Sequence, residues 1–302
     1  MSLRKALLVG INAYPGSPLR GCINDVVQMK DLLQRYYGFG DADLHLLLDE
    51  QATLSGIRAG LEWLAQGGTE ADAVRVFHFS GHGTYIADTS GDEPDGRDEC
   101  LVPYDYRTVG VLSDDALKVL YDRFPRSGNL TLVMDSCHSG TVQKDVAEDT
   151  AYRFIPVARE EQTRIDAAAR KFREEQTDFV VQELRQHPGE EYTEEEWQRK
   201  VRQLMKKFEK ARFGDVRNRE ANVLLAGCRA DQTAADAKIA GDYHGAFTYY
   251  LAEAIQDAGG QLSYRELAEQ TSQKLGGGHY TQIPQLEYRS RRDQKPAFKP
   301  FV

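Results

Sequence analysis

A chain of 302 residues, 41% of them apolar, is long enough to bury a substantial core as one large domain or two ordinary ones. Lys and Arg number 38 against 47 Asp and Glu, and the formal net charge of −9 disfavours a general nucleic-acid or anionic-membrane surface while drawing in basic partners. Four cysteines, Cys22, Cys100, Cys137 and Cys228, are widely spaced without a CxxC pair, which points to free thiols in a reducing compartment rather than a disulfide framework.

The N-terminal stretch "MSLRKALLVGINAY" has an apolar run too short for a signal peptide. Nothing later approaches the roughly 20 apolar residues needed to span a bilayer, so a soluble cytoplasmic protein is expected. Short apolar runs alternate with stretches of helical period, the pattern of an α/β layered fold. Strands are predicted at Ala6–Ile11, Leu44–Leu48, Val74–Phe79, Leu130–Met134 and Val223–Ala226. Helices are predicted at Asn24–Tyr37, Leu54–Ala65, Asp114–Asp122, Gly245–Gln256 and Ser263–Lys274. Runs such as "ALLVG" and "LTLVM" are continuously apolar, so helices should cover the sheet on both faces.

Between about Ala151 and Arg219 the alternation stops and charge dominates. Ile165, Ala168, Phe172, Phe179 and Leu184 share one helical stripe, as do Trp197, Val201, Leu204 and Phe208, with a Pro188-Gly189 break between. The pattern predicts a hairpin of two amphipathic helices. It reads equally as a decoration of the sheet edge or as a regulatory insert, since surface connections tolerate insertion.

Two strand ends carry the chemistry. "VRVFHFSGHGTY" delivers His82 between two glycines, and "LTLVMDSCHSG" delivers Cys137 into a polar turn. In doubly wound sheets the carboxyl ends of neighbouring strands line one crevice, where ligands bind. An imidazole beside a thiol of ordinary pKa near 8.5 makes it an effective nucleophile and later protonates the leaving amine. A cysteine after an apolar strand is by itself more often a small buried hydrophobe. A zinc site drawing on His78, His82, Cys137 and His138 has no CxxC or HExxH spacing to support it. His78 reads as facing the sheet interior or a helix, and His138 as a turn residue.

"FHFSGHG" followed some fifty residues later by "DSCHSG" resembles the histidine and cysteine motifs of the caspase-like cysteine peptidases, within them the metacaspase and bacterial orthocaspase branch. "ALLVGINAYPGSPLRGCINDV" resembles the family's opening strand and helix, and "TQIPQL" (Thr281–Leu286) a segment near its C-terminus. The resemblance covers roughly residues 4–145 and 221–288 and leaves the charged hairpin outside.

It implies a caspase–hemoglobinase fold: a mostly parallel sheet with helices on both faces, and here an inserted helical hairpin. The chain would be one peptidase domain, in which residues 1–145 are large-subunit-like, 146–220 form the insert and 221–302 are small-subunit-like. It implies a Cys137–His82 dyad, with the backbone N–H groups of Gly83 and Cys137 holding the oxyanion and no third residue named to orient the histidine. Asp25 and Asp135 match acidic pocket positions of metacaspases, and Cys22 and Ser80 match neighbouring ones. Two carboxylates favour a cation, and the planar fork of arginine suits them bidentately where lysine offers a point charge. Asp25 also reads as a solvated or N-capping carboxylate at a helix start.

The expected activity is an endopeptidase cutting proteins after Arg or Lys, made as a zymogen and activated by cleavage in the 145–220 segment by itself or by an upstream protease. Arg153, Arg159, Arg164, Arg212, Arg217 and Arg219 supply basic residues there. Stress response, cell death and defence are roles the family suggests, and a monomer is its usual state. No cofactor is required. Calcium activates many relatives through aspartates matching Asp98, Asp114 and Asp115, although Lys144 stands at or beside a position where calcium-dependent relatives carry aspartate. The rival reading is a catalytically silent caspase-fold scaffold that docks partners through the hairpin.

Overall fold

The computed structural model describes residues 2–68, 72–87, 97–121, 124–125, 128–137, 150–156, 222–229, 232–288 and 292–299. The predicted hairpin therefore lies outside the described residues, as do His138 and the Lys144 segment.

Seven-residue β1 (Arg4–Gly10) begins a six-stranded sheet with β2 (Leu44–Leu48), β3 (Val74–Ser80), β7 (Asn129–Asp135), β9 (Asn222–Ala226) and β12 (Gln285–Tyr288). Its order is β12-β9-β7-β3-β1-β2. The β1–β2, β1–β3, β3–β7 and β7–β9 pairs are parallel, and β12 adds antiparallel to β9. The five predicted strands are the five parallel ones. Every residue of β3 and β7 is buried, which is why their sequences are apolar without alternation.

Alternation in three dimensions sorts the same residues into two cores. Leu8, Val76, Val133 and Leu225 face α1 (Cys22–Tyr37), α5 (Ala246–Asp257) and α6 (Tyr264–Gly277). Leu7, Phe77, Leu132 and Met134 face α2 (Leu54–Ala65) and α4 (Asp114–Tyr121). Each such side chain contributes about 1.5–3 kcal/mol by leaving water, so the central strands are the rigid part of the molecule.

Local signals set the helix ends. Thr53 Oγ1 accepts from Gly56 N–H to cap α2, and Ser263 and Glu266 form a capping box at α6. Gly38, left-handed at φ 72°, closes α1. No helix among the described residues is long and apolar enough to cross a membrane.

Two small antiparallel sheets were not predicted. One joins β4 (Gly83–Ala87), β5 (Arg97–Leu101) and β6 (Leu112–Ser113), with the short α3 (Tyr106–Val109) beside it. The other joins β8 (Ala151–Tyr152), β10 (Ala235–Ile239) and β11 (Asp242–Gly245). Asp98, one of the aspartates matched to calcium positions of relatives, belongs to β5, buried beside Cys100, while Glu99 points the other way. The charged letters of "RDECL" hide an ordinary period-two strand.

Candidate active site

The register of the parallel sheet assembles the site. Ser80 and Asp135 are Cα partners at the carboxyl ends of β3 and β7, and both point to the α1/α5 side. His82 follows two residues after Ser80, and Cys137 two residues after Asp135. A one-residue slip of either strand would turn these groups into the opposite core. Gly83 has to be glycine, because a Cβ there would collide with the Cys137 backbone.

Between the strand ends, α1 and β10 lies a fully buried guanidinium, that of Arg153. Its Nη2 donates to Asp25 at 2.7 Å and to Asp236 at 3.0 Å. Nη1 donates to Ser80 Oγ at 2.7 Å and to the Asp135 carbonyl at 3.0 Å, and lies 3.3 Å from the Asp135 carboxylate. The pocket is itself braced. Asp25 accepts from Ser80 Oγ and from Gly245 N–H, and Asp135 accepts from the backbone N–H and hydroxyl of Thr248 in the first turn of α5. Asp236 also accepts from the Arg20 and Gly21 N–H groups, tying β10 to the start of α1.

The two paired carboxylates differ in proton affinity. Burial works to raise Asp25, but Arg153, His244 and Ser80 hold its carboxyl below the usual range. At Asp135 burial wins over Arg153 and pushes the group up to about 6. For Arg153 burial works to lower the pKa, and the Asp135, Asp25 and Asp236 carboxylates outweigh it, so the guanidinium keeps its charge.

The backbone around Arg153 is as closely held as its side chain. Its carbonyl oxygen accepts from Gly83 N–H at 2.9 Å and Cys137 N–H at 3.3 Å, and its N–H donates to Ala234 O at 3.2 Å. The preceding residues pair antiparallel with β10, Tyr152 opposite Ala235 and Ala151 opposite Asp236. Beyond it, Phe154 forms a parallel bridge with Gly83.

His82 is 3% exposed, and its Nε2 lies 2.8 Å from the Ser17 carbonyl oxygen. Since a carbonyl accepts, Nε2 carries the proton and Nδ1 is the basic nitrogen, with no hydrogen-bond partner among the described residues. Tyr14 braces the histidine from behind. Its ring centroid lies 4.6 Å from the imidazole, and its hydroxyl accepts from His82 N–H while donating to Val102 O. Burial above all lowers the His82 pKa to about 4, with the Ser17 hydrogen bond opposing it and Arg153 adding to it. His78, fully buried against Thr248, is likewise lowered to about 4 by burial. It faces the core on the α5 side, one of the two placements expected of it.

Cys137 is fully buried, and its Sγ accepts from Ala234 N–H. Cys228 lies beside it with Sγ–Sγ 3.8 Å, and the Cys228 thiol is raised well above the usual range by its hydrogen bond with Cys137 and by burial.

A family profile described as "Metacaspase, peptidase C14 domain" matches residues 4–145. The chain is 33% identical, over 98% of its length, to Metacaspase-1 of Scheffersomyces stipitis, 73% of which it covers. The chain belongs to the metacaspases. Metacaspase-1B of Aspergillus niger is also 33% identical over 94% of the chain, which spans 64% of that relative's length. Among solved structures, a protein of Geobacter sulfurreducens superposes with TM-score 0.63 at 23% identity, covering 99% of this chain and 97% of the other. Caspase-1 of Spodoptera frugiperda superposes with TM-score 0.53 at 10% identity over 95% and 86% of the two chains. The second places the fold in the caspase-like class. The two named metacaspase relatives are fungal, so the likeness does not single out the bacterial branch.

In this metacaspase Asp25, Asp135 and Ser80 converge on one guanidinium, and Gly83 and Cys137 converge on one carbonyl. Cys22 is buried in the same region, its N–H donating to Asn12 Oδ1, and its thiol interacts electrostatically with Arg153. Sequence reading missed Asp236, Thr248, Tyr14 and the Ser17 carbonyl. Asp236 belongs to an unpredicted strand, and a backbone carbonyl leaves no mark in a sequence. Asp98 and Asp114 are buried and flank Cys100, while the Asp115 side chain lies outside the described residues. Among the described residues no three His, Cys, Asp or Glu side chains gather to hold a metal.

Proposed function

We propose that this metacaspase is a cysteine endopeptidase that cleaves after Arg, and less readily after Lys, and that it is made as a precursor whose first substrate is its own Arg153–Phe154 bond. One observation carries the reading: Arg153 lies with its guanidinium among three carboxylates and its carbonyl oxygen on the Gly83 and Cys137 N–H groups. That is the geometry of a substrate residue before a scissile bond. Arginine's two terminal nitrogens address different partners, and a single ammonium reaches fewer of them.

The chemistry follows from the atoms present. The Cys137 thiol leaves Ala234 N–H, gives its proton to His82 Nδ1, and its sulfur attacks the Arg153 carbonyl carbon. The oxygen takes up the charge while hydrogen-bonded to Gly83 and Cys137 N–H, a donor of this type contributing about 3–4 kcal/mol. The C–N bond breaks and His82 returns the proton to the Phe154 amine. Water, deprotonated by His82, then attacks the thioester, freeing the Arg153 carboxylate and the thiol. Burial, which lowers His82 to about 4, keeps it neutral and ready as a base at neutral pH. The Ser17 carbonyl and Tyr14 hold the ring in this tautomer.

Until cut, Arg153 fills the pocket that an Arg or Lys of another protein needs. The precursor is therefore blocked by its own chain, and either the enzyme itself or an upstream protease releases it. No step needs calcium.

The test pairs the wild-type chain with Cys137→Ala and maps fragments by mass spectrometry. The expected result is a new C-terminus at Arg153 and a new N-terminus at Phe154 in the wild type alone. Otherwise identical fluorogenic peptides ending in Arg or Asp then check the pocket. Turnover of the Asp peptide in preference to Arg overturns the pocket assignment, and an uncut chain that turns over neither peptide favours the silent scaffold.

A further inference from the structure

The cleft grips its occupant on the leaving side of the scissile bond as well as at Arg153. Gly83 uses both backbone groups on the same segment: its N–H binds the Arg153 carbonyl, and its C=O accepts from Ile155 N–H at 3.1 Å. Thr84 Oγ1 then donates to Ile155 O at 2.7 Å. The start of β4 thus acts as an edge to which two residues after the scissile bond add in parallel, a short β-augmentation.

Side chains follow the backbone. The Phe154 ring stacks on Tyr85, with centroids 5.9 Å apart and planes 26° apart, and packs against Cys137, Cys228 and Ala234. Ile155 is 6% exposed and joins the apolar cluster beneath α2 and α4. Before the bond, Ala151 and Tyr152 are half-buried, as Phe154 is, but the contacts there are the strand pairs with β10 rather than a ring stack.

We propose that this enzyme selects its protein substrates by the two residues after the cleaved bond, taking an aromatic side chain directly after the Arg and a branched aliphatic side chain next, with Tyr85 and Thr84 as the specificity-determining residues. The inference rests on the reading of Arg153 as the residue before the scissile bond. An aromatic first residue is read by an offset stack against Tyr85 and by a small apolar floor, contacts that a small or charged side chain forgoes. The second residue fills an apolar pocket in which the loss of each methylene is felt. These residues leave with the first product, so the selection acts on acylation and shows in kcat/KM.

The experiment uses processed wild-type enzyme and internally quenched peptides of one length carrying Ala-Tyr-Arg-Phe-Ile, Ala-Tyr-Arg-Gly-Gly, Ala-Tyr-Arg-Asp-Lys and Ala-Tyr-Asp-Phe-Ile at the centre. The Phe-Ile peptide is expected to exceed the Gly-Gly and Asp-Lys peptides by about 10- to 100-fold in kcat/KM. In Tyr85→Ala the ratio of Phe-Ile to Gly-Gly falls severalfold, a change that general damage to the fold, acting on both peptides alike, does not produce. In Thr84→Val the same ratio falls, because the hydrogen bond to the second carbonyl is gone. Equal cleavage of the three Arg peptides, or an unchanged ratio in Tyr85→Ala, overturns the inference while leaving the Arg reading intact. Preference for the Asp-Phe-Ile peptide over Ala-Tyr-Arg-Phe-Ile sinks the Arg reading and the inference with it.

Discussion

On one side of the Arg153 carbonyl four charged side chains are buried together. On the other, Cys137, Cys228 and Ala234 form a small apolar cluster on which Phe154 packs, and His82 is buried against Tyr14. Both regions hang from the same two strand ends, yet they are held by different physics. The guanidinium pocket sets three carboxylates around one cation, so removing the cation leaves the carboxylates uncompensated in a low-dielectric interior. The imidazole is kept neutral there by burial, and ring packing and a few backbone hydrogen bonds position the two side chains. Stability effects should therefore concentrate in the pocket, and rate effects without large stability loss should concentrate at the nucleophile.

Removing the pocket's cation tests that contrast most strongly. Arg153→Ala in the Cys137→Ala background leaves Asp25, Asp135 and Asp236 facing one another, and urea unfolding at pH 7 should report a loss of about 3–5 kcal/mol. Asp135 is already pushed up to about 6 by burial, and losing its counter-ion raises it further. A carboxylate whose folded pKa lies above the unfolded value gains stability as pH falls, so the deficit should shrink between pH 7 and pH 5. A deficit that is unchanged or larger at pH 5 argues that Arg153 is not compensating these carboxylates.

The histidines give the opposite slope. His78 and His82 are both lowered to about 4 by burial, against about 6.5 when unfolded. Above pH 6.5 neither state binds the proton; below it the unfolded chain does and the folded chain resists until about 4. Each histidine therefore removes about 3 kcal/mol of precursor stability across that window. Denaturant midpoints of Cys137→Ala from pH 7.5 to 4 should fall accordingly, and His78→Gln should remove about half of the decline.

Substrate binding sharpens the pocket half of the comparison. Asp236→Asn keeps the shape but halves the charge facing one guanidinium nitrogen, and kcat/KM for Arg peptides should drop about a hundredfold, mainly through KM, in steady-state kinetics. A drop in kcat alone would move Asp236 out of the binding pocket. The smallest effect is expected at Tyr14→Phe, which deletes the hydroxyl that bonds His82 N–H and Val102 O. Two such bonds are worth about 1–3 kcal/mol together, so kcat should fall about tenfold with KM nearly unchanged.

The chain's own letters made much of this legible. The five parallel strands and five long helices stand out because the continuous apolar runs and helical stripes record burial on two faces or one. Cys137 and His82 stand out because each terminates such a run in a glycine-bounded polar turn. The strands β4, β5, β8, β10 and β11 do not, because they are short, partly charged and paired at a distance. "RDECL" and "ADAKI" carry their period of two beneath acidic residues that face inward. Asp236 was lost with its strand. Arg153 was visible as one of several basic residues in the segment after Cys137, and nothing in its neighbours sets it apart from Arg159 or Arg164.

The sequence by itself determined the layered α/β class and the metacaspase resemblance, and it singled out Cys137, His82, Asp25 and Asp135 as candidate site residues. Those properties are written in local patterns, a strand's burial and the residues at its end. Tertiary structure alone decided that Arg153 occupies the pocket, that Asp236 completes it, that the Ser17 carbonyl fixes the His82 tautomer and that β4 meets the residues after Arg153. Each of these is a contact between segments far apart in the chain, set by register and sheet order, and no local pattern encodes which distant backbone or charge will arrive there.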